Sequence, residues 1–92
     1  MEFLVTISQD WPALRMLPER AKLIAAERRV GRALVEEGVL VRIWRIPGAR
    51  ANVGIWRAAD ATELDQQLAR LPLRPWLTAD VTALAEHELE HR

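Results

Sequence analysis

Two apolar, β-branched segments joined by a tight turn constrain this chain more than any other feature. Val39 to Ile46 and Ala51 to Ala58 flank Pro47-Gly48, so they read as the two strands of an antiparallel hairpin. With Pro47 to Arg50 as the loop, Ile46 pairs with Ala51 and Arg45 faces Asn52. Paired residues share a face of the sheet. Val41, Ile43, Arg45, Asn52, Gly54 and Trp56 then lie together, with Trp44, Val53 and Ile55 opposite. A one-residue change in loop length would exchange the two sets. Both faces are largely apolar, whereas helices connecting strands of this length cover only one. The second face is therefore expected to pack against another sheet, which means self-association.

The rest of the chain places that hairpin inside a recurring order. Phe3 to Ser8 alternates with period two and reads as a strand, and Gln9 to Met16 reads as a loop. Leu17 to Glu37 is one amphipathic helix, with Pro18 in its first turn, Glu19 suited to its dipole and Gly38 as its stop. Met16, Leu23, Val30 and Leu34 form its apolar stripe. Asp60 caps a second helix running to about Leu71, with Glu63 at capping-box spacing and Leu64 and Leu68 facing inward. Pro72 and Pro75 bracket a short connection, Trp76 to Val81 is the last strand, and Thr82 to Arg92 is a charged, helix-prone tail. The order β-α-β-β-α-β predicts an α+β, ferredoxin-like fold, with residues 1–92 as one domain.

Composition narrows the function. A 92-residue domain buries only about 60–65% of its unfolded-chain surface, so a partner subunit would help it. Thirteen basic residues balance thirteen acidic ones, leaving no electrostatic footprint for nucleic acid or an anionic membrane. There are no cysteines, which excludes disulfides and thiolate chemistry. No apolar run approaches the ~20 residues that span a bilayer and no signal peptide opens the chain, so a cytoplasmic location is expected.

The residue that stands out chemically is Glu27. It interrupts the apolar stripe, four residues after Leu23 and three before Val30. A carboxylate aimed at a core loses hydration, which raises its pKa and prepares it for proton transfer near neutral pH. The alternative is a carboxylate that reaches past the stripe edge or pairs with an arginine such as Arg45. His87-Glu88-Leu89-Glu90-His91 matches H-E-x-x-H, but a motif ending one residue before the C-terminus, with no third histidine, does not predict a zinc site. Ser8, the only serine, lies in a strand and not at a nucleophile elbow. Trp11, Trp44, Trp56 and Trp76 read first as core or interface anchors. Arg42 and Arg45 flank an apolar strand, as surface cations or as carboxylate ligands in a pocket.

Taken together, these segments resemble the muconolactone isomerase family. Trp44-Arg45-Ile46-Pro47-Gly48-Ala49-Arg50-Ala51-Asn52 resembles the family's W-R-I-x-G-x-x-A-N hairpin, and Leu71-Pro72-Leu73-Arg74-Pro75-Trp76 its L-P-L-x-P-aromatic segment. Glu27 stands at the position of the family's helix glutamate, and Glu37-Gly38 resembles its E-G helix end. The resemblance implies a ferredoxin-like domain that dimerises sheet to sheet and assembles into decamers. It also implies isomerisation of muconolactone to the enol-lactone of 3-oxoadipate, in bacterial aromatic catabolism, with neither metal nor cofactor. Under it Glu27 is the shuttling base. Arg45 or Arg42 would hold the substrate carboxylate, Asn52 would donate to the enolate oxygen, and Trp56 and His87 would complete the substrate contacts. Three departures bear on the substrate rather than the fold: Ala49-Arg50 where members have an aromatic residue after the hairpin glycine, His87-Glu88 for His-Pro, and Trp76 for a tyrosine. Two alternatives follow: a chloromuconolactone dehalogenase using the same base, and a non-catalytic oligomeric binding module.

Overall fold

Four strands hydrogen-bond in the order β2-β3-β1-β4 to form one antiparallel sheet, and two helices lie across one of its faces. The computed structural model describes residues 1–90. Its elements are β1 (Glu2–Gln9), α1 (Trp11–Leu14), α2 (Arg20–Glu36), β2 (Leu40–Arg45), β3 (Ala51–Arg57), α3 (Ala61–Leu68) and β4 (Leu77–Leu84), with single 3-10 turns at Arg74–Trp76 and Glu88–Glu90. This is the split β-α-β arrangement expected of the element order. Phe3, Val5 and Ile7 of β1 and Trp56 of β3 meet Leu34 of α2 and Leu64 and Leu68 of α3 in the core. The alternate residues Leu4, Val53 and Ile55 are only half-covered, and Trp44 beside them is 44% exposed.

Helix α2 starts later than its apolar periodicity suggests. Pro18 disfavours helical backbone at the residue before it. Residues 15–19 instead turn, with the Arg20 N–H donating to the Leu17 carbonyl (3.2 Å). Met16 therefore leaves the stripe and is 73% exposed, while Leu34 is fully buried. The predicted loop after β1 also contains α1, a single turn whose Asp10 carboxylate accepts from the Ala13 N–H (3.3 Å). At the other end of α2, Gly38 takes φ +77°. Its N–H donates to Val35 and that of Val39 to Leu34, a Schellman closure that glycine accommodates without strain. Asp60 caps α3 by accepting from the Glu63 N–H (2.8 Å), as its spacing implies.

The hairpin keeps its predicted register: Arg45 pairs with Asn52, and the Ile46 N–H donates to the Ala51 carbonyl. Ile43, Arg45, Asn52, Gly54 and Trp56 share the core face. Val41 does not, because a bulge between Leu40 and Arg42 shifts the pairing, so Leu40 sits opposite Trp56. Leu40 is accordingly buried and Val41 is 37% exposed. A further correction concerns the C-terminal segment. Strand β4 begins at Leu77, after Trp76 closes a 3-10 turn, and runs to Leu84, because β1 is long enough to pair it through Glu2. Thr82 to Leu84 are therefore strand and not a helical tail.

Candidate active site

A cleft of about 670 Å³ opens between α2 and the hairpin end of the sheet. Its inner wall is apolar, formed by Ile7, Leu34, Leu40, Trp56, Leu71 and Leu77. Its charged lining residues are Glu27 and Arg28 from α2, Arg45 from β2 and Arg50 from the hairpin loop. Ile43, Arg45, Ala49 and Arg50 are themselves exposed, so the side toward the hairpin is open to solvent.

Glu27 projects from the middle of α2 into this cleft, one turn before Gly31, whose missing side chain leaves the helix surface low there. Its Oε1 accepts from the Leu73 N–H at 3.0 Å. Leu73 is 1% exposed, so its amide needs a partner that water cannot supply. The Leu71–Trp76 segment is held by its own tight turns, from Leu71 to Leu68, Arg74 to Leu71 and Trp76 to Leu73. That leaves the Leu73 amide directed at the helix. Burial pushes the Glu27 carboxyl above the ordinary glutamate value, and the Leu73 hydrogen bond only partly opposes it. Glu27 thus lies in the desolvated position that the helix periodicity indicates, and an arginine is not the partner that orients it.

On the opposite wall, β3 supplies two buried polar atoms that no group among the described residues satisfies: Asn52 Oδ1 and Trp56 Nε1. A buried polar atom without a partner costs roughly 1–3 kcal/mol, and both residues line the cleft. A half-turn of the Asn52 carboxamide exchanges oxygen for NH₂, so this residue can present either an acceptor or a donor. Gly54 between them is obligatory: a Cβ there would lie 2.8 Å from the Arg42 carbonyl oxygen and 3.6 Å from Trp56 Nε1.

The structure therefore gathers Glu27, Arg45, Asn52 and Trp56 in one cleft. Arg42 is not there, a correction that the strand's alternation explains. It pairs with Ile55 on the far face of the sheet, with its guanidinium 4.8 Å from the Trp44 ring. His87 is also away from the cleft. It is exposed beyond β4, and its Nδ1 accepts from the Leu89 N–H at 3.0 Å. The second histidine of the H-E-x-x-H motif, His91, lies outside the described residues. Sequence reasoning missed the Leu73 amide and Arg28, and marked Arg50 only as part of the Ala49-Arg50 departure. Only the Leu-Pro-Leu-x-Pro turn hinted at the first, and nothing local distinguished Arg28.

With this geometry in view, the chain belongs to a class of small α+β isomerases. Residues 1–90 match the muconolactone delta-isomerase family, and the chain is a member of that family. Muconolactone Delta-isomerase 2 of Acinetobacter lwoffii is 32% identical over 87 residues, covering 95% of this chain and 86% of that protein. The muconolactone Delta-isomerase of Pseudomonas aeruginosa is 33% identical over 73 residues, covering 78% of this chain and 76% of the relative. A crystal structure of muconolactone isomerase superposes with a TM-score of 0.85 at 30% identity, covering 96% of this chain and 92% of the other.

Proposed function

We propose that this isomerase shifts the ring double bond of muconolactone, or a closely related butenolide, to give the enol-lactone of 3-oxoadipate, with Glu27 as the only base. The observation that carries this reading is the Glu27 carboxylate, with its pKa raised by burial, in an apolar cleft that Asn52 also lines. A base works best when its pKa lies near the operating pH. Glu27 takes the proton from the ring carbon that bears the carboxymethyl arm. The electron pair moves through the ring, so the double bond migrates and negative charge collects on the carbonyl oxygen as a dienolate. Glu27 then returns a proton to the carbon beside the carbonyl. No atom is gained or lost, and one carboxyl group on one face of the ring serves both transfers.

The Asn52 amide supplies a hydrogen bond for the dienolate oxygen as charge develops there. Such preorganised donors act most strongly where water is excluded. Arg45 belongs to the carboxylate side of the cleft. The half-covered second face of the sheet, with Leu4, Val53, Ile55 and Trp44, packs against a second copy in this reading, and sedimentation should then show an oligomer rather than a 10.5 kDa species. The reaction itself is tested in heavy water. Wild-type protein should convert muconolactone to the enol-lactone and place deuterium on the carbon beside the carbonyl. Unchanged substrate without deuterium would refute it.

A further inference from the structure

The cleft has a feature that proton transfer does not use. Three of its four charged lining residues are arginines, Arg28, Arg45 and Arg50, and no carboxylate of the described residues forms an ion pair with any of them. They differ in how firmly they are held. Arg50 is fixed at both ends. Its carbonyl accepts from the Gln9 N–H at 2.9 Å, which ties its backbone to β1. Its guanidinium carbon sits 3.6 Å from the centroid of the Trp11 ring. Trp11 is fixed in turn. It opens α1, which Asp10 caps, and the Asp10 N–H donates to the Trp76 carbonyl at 2.8 Å. The Arg20 guanidinium approaches the same ring at 5.3 Å, while donating to the Arg15 carbonyl at 2.7 Å.

From this arrangement we infer that Arg50, stacked on Trp11, is the residue that clamps the substrate's carboxylate. A guanidinium lying against an aromatic ring keeps the outer edge of its planar fork free for bidentate contact with a carboxylate. Stacking also removes rotamer freedom in advance, so less entropy is lost on binding. Arg45 and Arg28 reinforce the positive field, but among the described residues no hydrogen bond, ion pair or ring contact holds either guanidinium in place. The inference rests on the reading above, yet it concerns binding and can be measured without turnover.

Calorimetric titration of the Glu27→Gln protein, which cannot complete the proton transfer, separates the two. The acid form of muconolactone should bind about 10–100-fold more tightly than its methyl ester, the ratio expected when a charge-assisted contact is lost. Adding Arg50→Gln should remove that preference while leaving ester affinity unchanged, with circular dichroism confirming the fold. Arg50→Lys, which keeps the charge but not the fork, should retain a fraction of it. Trp11→Leu should weaken acid binding although every arginine remains, which a merely diffuse positive field would not produce. Equal affinity for acid and ester, failure of the acid to bind, or a preference that survives Arg50→Gln and falls with Arg45→Gln would overturn the clamp. A preserved preference alongside no deuterium exchange in wild type would overturn the Glu27 reading alone.

Discussion

Two glutamates tie helix α2 to the segment after α3, and they behave in opposite ways. Glu27, in mid-helix, is half-buried, accepts from the Leu73 amide and has its pKa raised. Glu37, at the helix end, is exposed, receives both Nη atoms of Arg70 at 2.9 and 2.7 Å and has its pKa lowered. The residue type and the helix are the same, and the number of protein contacts favours Glu37. Solvent makes the difference: burial penalises the charge on Glu27 more than one backbone N–H supports it, whereas Arg70 favours the charge on Glu37. Contact with a cation holds a carboxylate in its charged form, and loss of water raises its affinity for a proton.

The two glutamates should differ most in the reaction. Glu27→Gln should lower the rate of double-bond migration by about 10²–10⁴-fold, the usual worth of a positioned general base. Glu37→Gln should leave the rate within about twofold, a surface change away from the site. Stopped assays following the enol-lactone would measure both. The next effect is on stability. Glu27→Ala leaves the buried Leu73 amide without a partner and should cost about 1–3 kcal/mol in urea unfolding. Gly54→Ala should cost a similar ~1–3 kcal/mol, because its Cβ meets backbone that cannot move aside. Glu37→Ala should shift the midpoint least, and less still at high salt.

The smallest effects depend on pH, and their signs differ. The folded-state pKa of Glu27 lies above its ordinary 4.5, so the protonated form is favoured by folding. Its contribution to stability is complete below the unfolded value and is lost as pH rises through the folded one. Glu27→Gln should therefore melt higher than wild type at neutral pH, and this advantage should fade as pH falls toward 4.5. Glu37, lowered from 4.5, contributes stability that is present above its unfolded pKa and lost as pH falls through the folded one. Activity should rise with pH along a limb displaced above 4.5, since the base must be ionised.

What was legible in the chain follows from which forces are local. The Pro-Gly loop length determined the hairpin register, and with it the grouping of Arg45, Asn52 and Trp56 on one face. The same alternation assigns Arg42 to the Trp44 face. Glu27 was visible because a charge in an apolar stripe breaks helical periodicity. The bulge at Val41 has no local signature, because pairing across strands produces it. The extent of β4 depended on the length of β1 and not on its own charged sequence. The Leu73 amide and the Arg50–Trp11 stack join residues that are distant in the chain, so only the fold brings them together.

The most direct test is to titrate the glutamate carboxyls by carbon-13 NMR, assigning the two resonances with Glu27→Gln and Glu37→Gln. The Glu27 midpoint should lie above 4.5, with that of Glu37 below it in the same sample. A Glu27 midpoint at or below that of Glu37 would mean that water reaches this carboxylate freely, and would contradict its role as a desolvated base.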